Sequence, residues 1–317
     1  MLSRVADSLF WMGRYLERAE VVARLLDVGS NLELDLAGLV PYDYTPPWKG
    51  TLEVLHQILP DALQDDASVS SAVAAWLSFE IDNPASILAA VNRGRNNARG
   101  IRGRISSEMW RSLNQLYWKL RDPEFVGVAK HSPHDYYTEV QIGSQGFQGV
   151  CDATLPHDEG WHFIQLGKYL ERADKTIKLL DVKYRQLSQL KDDADQPLVT
   201  LEWAGVLKSC NSFEAYQRIY ISRVERERVI EFLLLDAESP RSVRFCLESA
   251  ARALKAIDTD PRRDAPAEKA LGRVISDLRY ADLNHVLAGD FHGFLSGLLS
   301  HCNLTSKAIQ NQYSLVN

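Results

Sequence analysis

The chain is 317 residues long, with 45% hydrophobic and 25% charged residues. These proportions are those of an ordinary globular protein, and they exclude a wholly disordered or collagen-like chain. Lysine and arginine number 36 against 42 aspartate and glutamate residues, which gives a net charge of -6. A negatively charged chain does not favour nucleic acid or an anionic membrane surface as a partner, so we expect neither.

Targeting segments and metal-binding motifs are not evident in the sequence. No apolar run approaches the ~20 residues that span a bilayer, and the N-terminus lacks the apolar stretch of a signal peptide, so we expect a cytoplasmic protein. No His-Glu-x-x-His or nucleotide-binding motif occurs, and we expect no metal and no cofactor. The cysteines are far apart and form no C-x-x-C pair, so we predict small buried side chains rather than disulfides; they are Cys151, Cys210, Cys246 and Cys302.

Helical periodicity begins at the N-terminus. Apolar residues recur there at alternating steps of four and three, as on the buried face of an amphipathic helix; they are Val5, Leu9, Met12, Leu16, Ala19, Ala23 and Leu26. The alternation of period two that marks strands is almost absent along the chain. The sequence therefore predicts an all-α helical bundle.

A further helix is predicted to begin at Pro84 and to extend toward Pro123, which makes it the longest predicted helix. Six arginines and one acidic residue lie between positions 93 and 111, and they give a local charge of +5; they are Arg93, Arg95, Arg99, Arg102, Arg104 and Arg111, with Glu108. Helical spacing places Arg95, Arg99 and Arg102 on one face. The planar fork of arginine suits carboxylates and phosphates, so these three are candidate anion-binding residues. The alternative is internal pairing with Glu17, Glu20 and their counterparts in the repeat.

Glycines interrupt the next periodic segment. Four apolar residues keep helical spacing across three glycines; they are Tyr136, Val140, Phe147 and Val150, with Gly143, Gly146 and Gly149 between them. We predict a helix whose glycines allow another helix to approach closely. A glycine-rich loop is the alternative.

An internal repeat organises the chain. Residues 13–28 and 167–182 share ten identities in sixteen positions, at an offset of 154 residues. Farther along, Pro84 matches Pro240 at the similar offset of 156 residues. We therefore predict a tandem duplication of about 155 residues per half, with halves at 1–155 and 156–317. These halves form either separate bundles or one continuous bundle.

Charged residues of the repeat form a band beside the apolar face of the first helix. They are Arg14, Glu17, Arg18, Glu20 and Arg24 in the first copy and Glu171, Arg172 and Asp174 in the second. Spacings of three and four residues bring such side chains together on a helix. One interpretation is a set of solvated or interhelical salt bridges. The other is a charged centre under functional constraint, because the Glu-Arg-Ala-acid sequence is retained in both copies while the next positions differ.

Three segments together resemble the bacterial Alpha-E domain family. They are residues 13–20 (GRYLERAE), 105–110 (ISSEMW) and 161–174 (WHFIQLGKYLERAD). The resemblance implies an all-helical protein of poorly defined activity, encoded beside a circularly permuted ATP-grasp protein and a transglutaminase-like peptidase. It therefore implies those two proteins as partners and a role in peptide or amide-bond modification. Asn96 departs from the family pattern, in which we expect a glutamate, and no carboxylate role is expected there.

Three functional hypotheses follow. The first is an accessory or binding protein in which the charged centre, with Arg95, Arg99 and Arg102, binds an anionic ligand or partner. The second is an enzyme subunit in which Glu17 and Glu171 act as acid or base on an amide or aminoacyl substrate. The third is a scaffold whose charges fix helix register. No catalytic residue is assigned, and a homo-oligomer remains an open alternative.

Overall fold

The computed structural model describes residues 1–36, 44–64, 68–188, 190, 196–221, 223–257 and 266–313. Every regular element within these ranges is helical, which confirms the predicted all-α bundle. The helices are α1 (Ser3–Asp35), α2 (Pro47–Leu55), α3 (Val69–Phe79), α4 (Ile87–Gly100), α5 (Ser107–Leu120), α6 (Pro123–Ala129), α7 (His134–Thr154), α8 (Glu159–Leu187), α9 (Gln196–Ser209), α10 (Phe213–Ile219), α11 (Arg226–Leu235), α12 (Val243–Ile257), α13 (Pro266–Arg279), α14 (Leu283–Ala288) and α15 (Phe291–Tyr313), with 3-10 helices at Asp61–Leu63 and Arg102–Arg104.

The two long helices α1 and α8 form the centre of the molecule. Their backbones meet at glycines: Gly13 of α1 lies against the backbone of Ile164, and Gly167 of α8 lies against the backbone carbonyl of Phe10. A Cβ atom at either glycine would collide with the opposite backbone. The two contacts are reciprocal. At the offset of 154 residues Gly13 corresponds to Gly167 and Phe10 to Ile164, so each glycine contacts the counterpart of the residue that the other glycine contacts.

Each long helix is the first member of a four-helix group. In the first group α4 packs on α1, α5 on α4, and α7 on both α5 and α1. In the second group α12 packs on α8, α13 on α12, and α15 on both α13 and α8. The predicted apolar face of α1 is buried from Leu9 to Leu26. The matching order of contacts agrees with the repeat pattern, while the duplication itself stays a prediction.

One apolar core runs through both groups and is continuous across the contact between α1 and α8. Phe10 and Met12 of α1, Phe163 of α8 and Phe291 of α15 are among its fully buried members. All four cysteines are buried and free, as predicted. Among the helices that the structure describes, none is both long and apolar enough to cross a membrane.

The prediction of one helix from Pro84 toward Pro123 is wrong. The helix α4 ends at Gly100, a 3-10 turn follows, and α5 begins at Ser107. Glycine has low helix propensity, and Gly100 and Gly103 flank the start of the break. Ser106 then starts the new helix, because its hydroxyl accepts the backbone N–H of Met109 at 3.1 Å.

The glycine-containing segment is helical, and the alternative of a glycine-rich loop is wrong. The helix α7 continues through all three glycines. A Cβ at Gly143 would lie 2.6 Å from Cδ1 of Leu116, so this glycine allows α5 to approach. The corresponding positions at Gly146 and Gly149 face open space. The predicted close approach is therefore made at one glycine of the three.

Candidate functional site

Four buried carboxylates lie where α1 and α8 cross, and we call them with their bound cations the ionic core. Glu17 and Glu20 belong to α1, and Glu171 and Asp174 belong to α8. Glu17 and Glu171 follow the contact glycines by four residues, which is about one helical turn. The sequence therefore places a carboxylate beside the point where the two backbones are closest.

The Glu-Arg pairs of the two helices exchange partners. Arg172 donates from Nε and Nη2 to the two oxygens of Glu17, at 2.6 and 2.7 Å. In the opposite direction, Arg18 donates from Nε and Nη2 to Glu171, at 2.7 and 3.2 Å. Each arginine thus binds a carboxylate of the other helix through two parallel hydrogen bonds, which is the strongest arrangement for an arginine–carboxylate pair. Arg14 adds a bond from Nε to Glu171 at 2.8 Å.

Arg241 joins the ionic core from the turn that precedes α12. It donates from Nη1 to Oε1 of Glu17 at 2.7 Å and from Nη2 to Oε1 of Glu20 at 2.5 Å. Arg24 also donates to Glu20, at 3.0 Å. The repeat pattern predicts no role for Arg241, because the corresponding residue of the first half is Ala85.

Two lysines complete the ionic core at the α8 side. Lys178 and Lys175 lie 2.9 and 3.1 Å from the carboxylate of Asp174, and Lys175 also lies 3.6 Å from Glu171. Neither lysine is among the residues predicted from the repeat. Their spacing of four residues from Asp174 and Glu171 was a signal that could have identified them.

Neighbouring arginines keep Glu17 and Glu171 ionised. Burial alone would raise the pKa of Glu17, but the charges of Arg172 and Arg241 outweigh burial and lower it to about 2. The pKa of Glu171 is likewise lowered well below its usual value, because Arg18 and Arg14 outweigh burial. A catalytic acid or base works best with a pKa near the working pH. The arrangement therefore suits permanent ion pairs joining two helices better than proton transfer.

The surroundings of Lys168 favour its neutral form, whereas those of Glu17 and Glu171 favour the charged form. It is largely buried, and burial together with the charge of Arg172 lowers its pKa to about 8 although Glu17 is nearby. Its counterpart in the first half is Arg14, which pairs with Glu171. The two corresponding positions beside the exchanged pairs therefore differ, because Arg14 forms an ion pair whereas the pKa of Lys168 is lowered.

Acid is expected to destabilise the fold between about pH 5 and pH 2. The pKa of Glu17 is about 2 in the folded chain and about 4.3 for an unperturbed glutamate. Because the unfolded chain then binds the proton more readily, the stabilisation is complete above the unfolded pKa and is lost as the pH falls through the folded one. Denaturant unfolding at a series of pH values measures this. A free energy of unfolding that stays constant down to about pH 3 would contradict it.

The arginines predicted between positions 93 and 111 form a separate feature, which we call the arginine surface: Arg93, Arg95, Arg99, Arg102, Arg104 and Arg111. Arg95 is half-buried and the other five are exposed. Arg95 and Arg99 share α4, whereas Arg102 lies in the 3-10 turn, so the prediction that these three occupy one helix face is wrong.

Aromatic side chains hold part of the arginine surface in place. The guanidinium of Arg95 lies 4.5 Å from the ring centre of Tyr117, and its Nε donates to Oδ1 of Asn114 at 2.8 Å. The guanidinium of Arg102 lies 4.8 Å from the ring centre of Trp110. Such cation–π contacts orient a guanidinium without neutralising it.

The arginine surface and the ionic core are not joined by ion pairs. Within the described ranges, no carboxylate forms a salt bridge with any arginine of this surface, and Glu17 and Glu20 bind Arg172, Arg241 and Arg24 instead. The alternative that these arginines pair with Glu17, Glu20 or their counterparts in the repeat is therefore wrong. Asn96 is exposed on α4. No group of three or more metal-binding side chains occurs among the described residues.

Comparison with known proteins identifies relatives of unknown activity. The model of the Alpha-E family, described as a predicted alpha-helical domain with a conserved ER motif, matches residues 1–313. An uncharacterised protein of Mycobacterium bovis is 28% identical over 316 residues, and two uncharacterised proteins of Mycobacterium tuberculosis strains are 28% and 27% identical. These matches cover 90% of this chain and 35% of each relative, so the chain spans about a third of their length. No solved structure matches.

Proposed function

The chain belongs to the Alpha-E family, and on that premise we propose that it is an accessory binding protein that uses the arginine surface to recognise an anionic ligand or partner. The partner belongs to a peptide or amide-bond modification system. The ionic core serves as the scaffold that fixes α1 against α8. The activity of the system resides in the partner enzyme.

The observation that carries this proposal is the uncompensated charge of the arginine surface. Six arginines lie between positions 93 and 111 in a chain whose net charge is -6. No described carboxylate pairs with them, although Glu17 and Glu171 in the ionic core bind two or more cations each. A concentrated unpaired charge of this kind increases the rate and specificity of association with an oppositely charged surface.

The length of the relatives supports a role beside another protein. In each of them the matched region is 35% of the chain, so about two thirds of each relative lies outside the match. A domain that occurs within longer chains is suited to work next to a second functional unit. The resemblance to the Alpha-E family supplies the identity expected of that unit, an ATP-grasp or transglutaminase-like protein.

The ionic core supports binding rather than acid–base catalysis. Glu17 and Glu171 have no exposed surface, and arginines occupy both oxygens of each. A substrate would have to displace these hydrogen bonds to reach either carboxylate. The enzyme hypothesis therefore has less support than the binding hypothesis.

Partner capture tests the proposal. The tagged chain is purified from its own host at native expression level and its complexes are weighed by native mass spectrometry. We expect an ATP-grasp or transglutaminase-like protein with the wild type, and at least about tenfold less of it when Arg99, Arg102 and Arg111 are replaced by glutamate, because each reversal replaces attraction by repulsion.

A matched control separates the effect of the arginine surface from the effect of the chain's net charge. Replacing Arg218, Arg273 and Lys307 by glutamate changes the net charge equally at exposed positions on α10, α13 and α15. This control should retain the partner. A wild type that is recovered as a bare monomer or homodimer, or equal losses in both triple variants, would overturn the proposal.

A further inference from the structure

A cavity of about 340 Å³ opens on the arginine surface where the 3-10 turn meets α5. Its size is near the lower end of the roughly 300–1,000 Å³ typical of small-molecule sites. Its lining consists of Arg102, Ser106, Ser107, Trp110, Arg111 and Asn114. We propose that this cavity binds a phosphoryl group, either as free phosphate or as a phosphate monoester; the inference rests on the proposed function and specifies its ligand.

The charge of the lining selects an anion. Arg102 and Arg111 both line the cavity, and no carboxylate does. Neither arginine forms a salt bridge within the described part of the chain, so both guanidinium groups keep hydrogen-bond donors for a ligand. The site is open to solvent on one side, which lets a ligand enter without a change in the fold.

Two uncharged polar side chains of the lining, Asn114 and Ser107, can donate hydrogen bonds. Oδ1 of Asn114 already accepts a hydrogen bond from Arg95, which leaves its amide NH2 as the donor. Ser107 is exposed at the first position of α5 and brings a hydroxyl. Two arginines, an amide and a hydroxyl supply more hydrogen-bond donors than the two oxygens of a carboxylate require. A phosphate dianion fits this lining better, because it has three oxygens that accept hydrogen bonds and its charge matches that of two arginines.

Stacking orients one arginine and restricts the choice of ligand. The guanidinium of Arg102 packs on Trp110, and that of Arg95 lies 5.4 Å from the same ring. The ring is therefore already engaged by protein, and it is not a free platform for a planar ligand group. Recognition centres on the phosphoryl oxygens, and the remaining volume accommodates the alcohol part of a monoester.

Titration of the full chain with inorganic phosphate and with a nucleoside monophosphate tests the inference. Isothermal calorimetry at constant ionic strength gives each Kd, and acetate and chloride serve as reference anions. We expect saturable binding of phosphate and no saturation with acetate or chloride. We expect Kd to rise at least about tenfold in Arg102→Gln and in Arg111→Gln, since each removes a charge-assisted contact.

Arg218→Gln is the matched control, because it removes the same charge from an exposed position on α10, outside both the arginine surface and the lining of the cavity. It should change Kd less than about twofold, as expected for a distant screened charge. A tighter Kd for the monophosphate assigns the ligand as a monoester, and equal values assign free phosphate; both support the site.

Two results would overturn the inference: wild type that shows no saturable phosphate binding at millimolar concentrations, or an equal rise of Kd in all three variants. Partner capture is measured separately. If the partner is captured but phosphate does not bind, this ligand is rejected and the proposed function stands. If phosphate binds but no partner is captured, the proposed function is rejected and the phosphate site stands.

Discussion

Replacing Glu17 with glutamine is expected to lower the free energy of unfolding by about 3–5 kcal/mol, the range for removing one partner of a buried ion pair. Glu17 has no exposed surface and binds Arg172 and Arg241. The variant leaves both guanidinium groups buried, with a neutral amide that cannot accept two forked bonds and that presents its own NH2 to a cation. Denaturant unfolding followed by circular dichroism at neutral pH measures the loss.

Two further variants test whether the loss of unfolding free energy comes from the buried ion pair. Arg172→Met combined with Glu17→Gln should cost less than the sum of the two single changes, because the second change removes the charge that the first one strands. Arg99→Ala, which truncates an exposed arginine, should change stability by no more than about 0.5 kcal/mol. If Glu17→Gln costs less than about 1 kcal/mol, or if the two costs add, the ionic core does not hold α1 against α8.

The contrast between Glu17 and Arg99 separates two roles that the sequence grouped together. The first functional hypothesis placed both in one centre that binds an anionic ligand or partner. The structure places Glu17 in a closed network with no exposed surface, whereas Arg99 lies exposed on α4. Sequence alone gives the position of a charge along a helix, but not whether another helix covers it.

The parts of the fold that sequence predicted are those that depend on local pattern. The apolar face of α1, the helical nature of α7 and the burial of the cysteines follow from periodicity and residue type. The exchange between Glu17 and Arg172 depends on the crossing of two helices 155 residues apart in sequence. The repeat indicated which residues correspond, yet it could not show that corresponding residues meet.

Two features escaped prediction for definite reasons. Arg241 enters the ionic core although its counterpart Ala85 has no charge, so a search by repeat could not find it. The break between α4 and α5 depends on the cap at Ser106, which competes with continuation of an otherwise periodic helix. In both cases a single residue changes the outcome that the surrounding pattern predicts.

Gly167→Ala is expected to destabilise the fold by about 3 kcal/mol, near the upper end of the usual range for overpacking. The added methyl would meet the backbone carbonyl of Phe10 and lie 3.3 Å from Cγ of Arg14. Backbone cannot rotate aside as a side chain can, so α1 and α8 must separate. The better helix propensity of alanine, about 0.5–1 kcal/mol, offsets only part of this cost. Thermal and denaturant unfolding measure the net effect.

Gly146→Ala provides the control, because its Cβ position on α7 faces open space and the change should be neutral or stabilising. Separation of the helices at Gly167 would also lengthen the ion pairs one turn away, so the cost of Gly167→Ala should shrink when Glu17 is already glutamine. Equal effects of Gly167→Ala in both backgrounds would show that packing and ion pairing act independently. A coupling between them would mean that the glycine contact and the exchanged Glu-Arg pairs are one structural device, in which the absence of two Cβ atoms brings the backbones close enough for each arginine to reach the opposite helix.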